Sequence, residues 1–199
     1  MFVIGLTGSI GMGKTTTARF FAEAGVPVHD ADATVHRLYE GAAAPAIEAA
    51  FPGTTSGGKV DRMKLAVRVL GDKAALKQLE SLVHPLVREK ELQFLADAEK
   101  AGADIVVLDI PLLFETSGHE RVDAVVTVSA PAELQRTRLS ERPGMTEEKI
   151  EKLIANQLPD AEKRRRADFI VDTSQGFDAA RAQVADILRQ IATMPKRRR

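Results

Sequence analysis

The sequence predicts an α/β fold built on a parallel sheet, and three observations carry that reading. Five short apolar runs recur along the chain, each too short for a helix. Stretches with apolar residues at helical spacing separate them. A glycine-rich segment stands between the first apolar run and the first helical stretch. Strands that alternate with helices in this way pair in parallel and cover their sheet with the intervening helices.

The elements follow in order. Phe2–Leu6 reads as a buried strand closed by Thr7-Gly8, and Lys14–Ala24 as a helix with Ala18, Phe21 and Ala22 on its apolar side, ended by Gly25. Val26–His29 is a second strand that runs into Asp30-Ala31-Asp32. Ala33–Glu40 and Ala44–Phe51 are helical, Pro52–Lys59 is a loop rich in Gly, Ser and Thr, and Asp61 is placed to cap a helix over Arg62–Leu70. Gly71-Asp72 interrupts the pattern, and Lys73–Val83 and Pro85–Lys100 read as two further helices with Pro85 in a first turn. Ile105–Leu108 is the third strand, ending at Asp109; Ala124–Val128 and Phe169–Val171 are the fourth and fifth. Helices are expected at Ala132–Glu141 and Glu147–Asn156, and Phe177–Ile191 closes the chain as an amphipathic helix. The stretch from His29 to Ile105 is far longer than a crossover needs, so an inserted helical subdomain is expected there.

Composition removes several classes of function. Lys and Arg together number 28 and so do Asp and Glu, which gives no net basic field for nucleic acid or membranes. There is no cysteine, so disulfides, thiolate metal sites and cysteine nucleophiles are excluded. The opening residues lack the pattern of a signal peptide, and no apolar run approaches the length of a membrane span. A cytoplasmic protein is the expectation. The tail Lys196–Arg199 reads as a solvated end.

Gly8-Ser9-Ile10-Gly11-Met12-Gly13-Lys14-Thr15 satisfies the pattern G-x-x-x-x-G-K-[ST] at every fixed position. The residue types suit a triphosphate. Glycines let the backbone turn tightly and bring N–H groups against phosphate oxygens, and the helix that starts at Lys14 adds its positive end. Lys14 is expected to reach the β- and γ-phosphates and Thr15 to offer its hydroxyl to Mg²⁺. The ATP-binding set is then Gly8, Gly11, Met12, Gly13, Lys14, Thr15 and Thr16.

Carboxylates follow two of the strands. Ligands of open α/β sheets bind beyond the carboxyl ends of strands, so Asp30, Asp32 and Asp109 are expected beside the phosphate loop. Asp109 is the candidate for the metal side, acting through water. Asp32 is the candidate for accepting the proton of the acceptor hydroxyl. Each of these residues could instead serve as a helix cap or turn former. Arg136, Arg138 and Arg142 follow the fourth strand, and arginines on a closing segment neutralise phosphoryl charge; the other reading is a solvated face paired with Glu133 and Glu141. The run Lys163–Arg166 reads as a helix, solvated or phosphate-facing. His84 reads as a core or capping histidine, and the four histidines have no metal-ligand spacing.

Taken together, IGLTGSIGMGKTT, VPVHDAD, VDRMKLAVRVLGD, LESLVHPLVR, VLDIPLLFE, RLSERPGMT, IANQ and ADFIVDTSQG resemble the dephospho-CoA kinases over nearly the whole chain. The phosphate loop alone is generic; DAD, HP and DIPLLFE in this order are far more specific. The resemblance implies a P-loop kinase fold: a five-stranded parallel sheet flanked by helices, a helical substrate-binding insert and a helical lid. It divides the chain into a nucleotide-binding core (1–31, 102–135 and 167–199), an insert (32–101) and a lid (136–166). It implies ATP-dependent phosphorylation of the ribose 3′-hydroxyl of dephospho-CoA, with Mg²⁺, to give CoA and ADP. Catalysis then falls to Asp32, Lys14, Arg138 and Arg142, and the acceptor to Asp32, His84 and Pro111. The lid departs from the family pattern in having Pro143 after Arg142, which stiffens it.

Three other readings compete. A nucleoside monophosphate kinase shares the loop, lid and core, but needs cationic groups for its acceptor's phosphate. A regulatory GTPase commonly reads guanine through N-K-x-D, which is absent here. A non-catalytic ATP-binding protein has no need of a base such as Asp32.

Overall fold

Every residue of β1 (Phe2–Thr7) is buried, as a strand covered on both faces must be, and this strand is the centre of the sheet. The structure, a computed structural model, describes residues 1–195; the expected solvated tail Lys196–Arg199 lies outside the described residues. In chain order the elements are β1, α1 (Lys14–Glu23), β2 (Val28–Asp30), α2 (Ala31–Tyr39), α3 (Ala44–Ala50), β3 (Thr55–Ser56), β4 (Lys59–Val60), α4 (Arg62–Val69) and α5 (Lys73–Lys100). They continue with β5 (Ile105–Asp109), a 3₁₀ turn (Gly118–Arg121), β6 (Ala124–Ser129), α6 (Ala132–Ser140), α7 (Glu147–Ala155), α8 (Asp160–Arg166), β7 (Phe169–Asp172) and α9 (Phe177–Ile191). The chain divides into two compact units, residues 1–29 with 98–199, and residues 30–97.

The first unit holds the sheet, ordered β2-β5-β1-β6-β7. β1 pairs in parallel with β5 on one side and β6 on the other, and β6 pairs in parallel with β7. The chain crosses from one side of β1 to the other, so the point beyond its carboxyl end is the switch point where open α/β sheets bind ligands. Ile4, Leu6, Val107, Val126 and Val128 form the core with Phe20 and Phe21 of α1 and with Ala180, Val184, Ile187 and Ile191 of α9. Each fully buried aliphatic or aromatic side chain contributes about 1.5–3 kcal/mol. The segment 136–166, expected as a lid, belongs to this unit.

The second unit has its own core of Leu38, Ala43, Ile47, Phe51, Leu65, Leu79 and Val83. Two expectations fail here for identifiable reasons. Lys73–Lys100 is one helix with Pro85 in its interior, not two helices with Pro85 in a first turn. The apolar stripe runs straight through the proline: Leu79 and Val83 are buried, and Leu82, Leu86 and Val87 pack on the same core. Burying those side chains at about 1.5–3 kcal/mol apiece outweighs the roughly 3 kcal/mol cost of one interior proline. The expected loop Pro52–Lys59 contains a hairpin, β3 against β4, whose two-residue turn is Gly57-Gly58, both at positive φ. Asp61 caps α4 as expected, accepting from the N–H groups of Met63 and Lys64. Among the described residues no helix is long and apolar enough to cross a membrane.

Candidate active site

The phosphate loop leaves β1 at the switch point and enters α1 at Lys14. Gly13 is the N-cap, at φ 93°, a left-handed conformation that glycine adopts without strain. It carries no side chain to cap the helix, and the first helical bond runs from Thr17 N to Gly13 O at 3.1 Å. The N–H groups of Lys14, Thr15 and Thr16 are therefore orphans of the first turn, directed where an anion is stabilised. Gly11 is also at positive φ, and a Cβ there would come within 2.9 Å of Leu139 Cγ, so the loop packs directly on α6.

Lys14 Nζ donates to Asp109 Oδ1 at 2.6 Å, a charge-assisted bond that fixes the lysine over the loop. Leu6 is opposite Asp109 in the sheet register, which is why the end of β5 comes beside the end of β1. The Thr15 side chain is exposed, and Thr16 is half-buried. Beyond Asp109, the Pro111 carbonyl accepts from Thr7 Oγ1 at 2.9 Å and from Lys163 Nζ at 3.2 Å. The backbone of Pro111 thus helps to hold the DIPLLFE segment against the end of β1.

The arginines separate into three roles. Arg136 bridges to Glu147 at 2.5 Å and Glu151 at 2.6 Å, tying α6 to α7. Its acidic partners come from α7, and not from Glu133 and Glu141 of its own segment. Those two salt links raise its pKa. Arg138 turns its fork to Thr173, with Nη1 2.8 Å from Oγ1 and Nη2 2.9 Å from the carbonyl, and Nη1 also approaches the Gly11 carbonyl at 3.4 Å. Thr173 in turn donates to Met12 O at 2.8 Å. Arg142 follows α6, is exposed, and makes no ion pair among the described residues.

The run Lys163–Arg166 is not uniformly solvated. Lys163 is fully buried, 0% exposed, and forms an ion pair with Glu115 at 2.9 Å. Burial pushes the Glu115 carboxyl up, but bonds from Leu158 N–H and Lys163 and the lysine's charge outweigh it and hold the pKa below the ordinary carboxylate value. Arg165 and Arg166 both bind Glu162, and the hydrogen bonds from Arg165 and then Arg166 lower its pKa to about 2.

Asp30, Asp32 and His84 belong to the second unit, residues 30–97. Asp30 is a helix cap: its Oδ1 accepts from Ala33 N at 2.8 Å. Asp32, in the first turn of α2, is exposed and makes no hydrogen bond or ion pair among the described residues. His84 lies mid-helix in α5 and is exposed, so it is neither a core nor a capping histidine. Residues that sequence reasoning gave no role are Gln135, Gln157, Thr173 and Glu115. Gln157 and Thr173 fall in the segments IANQ and DTSQG, and that placement was the available signal.

The family model for dephospho-CoA kinase matches residues 2–179. This chain belongs to the dephospho-CoA kinase family. A dephospho-CoA kinase of Bradyrhizobium diazoefficiens is 65% identical over 198 residues, covering 100% of both chains. One from Rhodopseudomonas palustris strain BisB18 is 63% identical with the same coverage. A solved dephospho-CoA kinase from Campylobacter jejuni superposes with a TM-score of 0.66 at 25% identity, covering 95% of this chain and 96% of that one. The P-loop kinase fold expected from the sequence is thus the fold of the family, with its five-stranded parallel sheet.

Proposed function

We propose that this chain transfers the γ-phosphoryl group of ATP to the ribose 3′-hydroxyl of dephospho-CoA, giving CoA and ADP in the last step of coenzyme A synthesis. The observation that carries the reading is the match of the dephospho-CoA kinase family over residues 2–179 to a chain whose phosphate loop is assembled at the switch point. The orphan N–H groups of Lys14–Thr16 bind phosphate oxygens, and Lys14, steered by Asp109, neutralises charge as the γ-phosphoryl group leaves. Asp32 accepts the hydroxyl proton; it suits this role better than Asp30, whose carboxylate is committed to a cap. Arg142 is the lid cation available for the transferring oxygens, while Arg138 braces the loop through Thr173. His84 and Pro111 are assigned to the acceptor side.

Phosphoryl transfer from ATP implies a divalent cation, and we assign Mg²⁺. The donor set fits an ion that keeps several waters: one exposed hydroxyl at Thr15 and one carboxylate at Asp109, with nucleotide phosphates for the rest. Such an ion supplies charge stabilisation to the phosphates. We place the enzyme in the cytoplasm, with no nucleic-acid or membrane partner.

A coupled ADP-release assay with dephospho-CoA and a panel of nucleoside monophosphates tests the reading. ATP-dependent product is expected with dephospho-CoA; product with a monophosphate and none with dephospho-CoA would overturn it.

A further inference from the structure

Ile10 of the phosphate loop is held by a glutamine at each of its two backbone polar groups. Ile10 N donates to Gln157 Oε1 at 2.9 Å, and Gln135 Nε2 donates to Ile10 O at 2.7 Å. Chemistry dictates the orientation of each amide: a backbone N–H can only donate, so Gln157 must present oxygen, and a carbonyl can only accept, so Gln135 must present nitrogen. Gln135 is 4% exposed, in α6; Gln157 follows the end of α7. The segment between them, 136–156, is closed on itself by Arg136 with Glu147 and Glu151. Both ends of that hairpin are therefore pinned to the same loop residue.

Neighbouring loop carbonyls are held too. Thr173 binds Met12 O, and Arg138 approaches Gly11 O. Met12 N closes a turn onto Ser9 O at 3.1 Å. The Ile10 clamp differs from these contacts because its two donor–acceptor pairs come from opposite ends of one segment. A shift of either end turns one of the two peptide planes that flank the Ile10 Cα, and the orphan N–H groups that follow shift with the loop.

We infer that Gln135 and Gln157 are positioning residues for the triphosphate, orienting the phosphate loop through the N–H and the C=O of Ile10 and coupling segment 136–156 to ATP affinity. This rests on the reading of Gly8–Thr15 as the ATP site. A loop oriented in advance loses less freedom on binding, so loosening the clamp weakens ATP and leaves the acceptor unaffected.

A charge-matched pair of variants in the full chain tests this. Gln157→Glu keeps an acceptor oxygen for Ile10 N–H, whereas Gln135→Glu replaces the donor with an oxygen facing the Ile10 carbonyl. Both add one negative charge beside the same residue, Ile10. The KM for ATP is expected to rise at least about fivefold more in Gln135→Glu than in Gln157→Glu, as loss of one hydrogen bond predicts. The KM for dephospho-CoA should stay within about twofold of wild type in both. Gln157→Met, which removes the acceptor, should speed exchange of the Ile10 amide about tenfold, and Gln157→Glu should keep it protected. Equal ATP KM values in the two glutamate variants, or parallel shifts in both substrates' KM, overturn the inference. If Gln135→Glu fails to fold, the Ile10 exchange contrast between Gln157→Met and Gln157→Glu decides, and equal exchange in those two overturns it. Absence of wild-type turnover with dephospho-CoA sinks the functional reading instead, and the wild-type assay separates the two failures.

Discussion

The phosphate loop and the helical insert treat their polar groups in opposite ways. In the loop, Lys14 is bound to Asp109, Ile10 is clamped at both its N–H and its C=O, and Met12 O is bound by Thr173. In the insert, the two residues assigned to the acceptor, Asp32 and His84, are exposed and make no polar contact among the described residues. On the proposed function, donor binding would rest on groups oriented during folding, and their mutation is expected to disturb stability and affinity together. Acceptor chemistry would rest on exposed side chains, whose change is expected to cost the fold little.

The sharpest way to break this comparison is to substitute one residue from each region. Lys14→Ala should lower kcat/KM by about 10²–10³ and weaken ATP binding, because it removes a contact made in ground and transition states alike. Asp32→Ala should lower kcat by about 10²–10⁴ with ATP binding nearly intact. Its unfolding free energy should stay within about 0.5 kcal/mol of wild type. Steady-state kinetics, nucleotide titration and urea unfolding on the same preparations check all three. Near-normal turnover in Asp32→Ala would end the assignment of the base.

The next largest effect concerns the buried Lys163 and its more exposed partner Glu115. Lys163→Met should cost about 1–2 kcal/mol in urea unfolding, since it leaves the Pro111 carbonyl and Glu115 without their shared donor. Glu115 then predicts an acid limb. Its folded pKa is depressed, so its contribution is complete above the unfolded value of about 4.3 and is lost as pH falls through the folded value. Unfolding curves between about pH 6 and about pH 3 should show a shallower acid loss in Glu115→Gln than in wild type.

The smallest effect sharpens the contrast within the DAD triplet. Asp30→Ala should cost about 1 kcal/mol as a lost helix cap and leave kcat within a few fold. A kinetic loss like that of Asp32→Ala would show that the pair shares the catalytic role.

Much of the molecule was legible in the chain itself. Apolar runs, helical periodicity and turn residues are local signals, so the sheet strands, the closing helix Phe177–Ile191 and the Asp61 cap could be read directly. Gly8–Thr15 is contiguous, and the constraint that shapes it lies in its own residue types. Pro85 misled because its helix-breaking tendency is local while the apolar core that overrides it is not. The Gly57-Gly58 turn was readable as a loop signal, but the hairpin depends on the pairing of Ser56 with Lys59 across it.

The sequence by itself determined the loop, the order of strands and helices and, through motif resemblance, the family. Tertiary structure alone decided that Lys163 meets Glu115, that Arg136 joins two helices, and that Gln135 and Gln157 both hold Ile10. Those contacts join residues far apart in the chain, and neither residue type nor spacing encodes them. They arise only when parallel pairing brings the ends of β1, β5 and β6 to one edge and the helices that follow pack against the loop there.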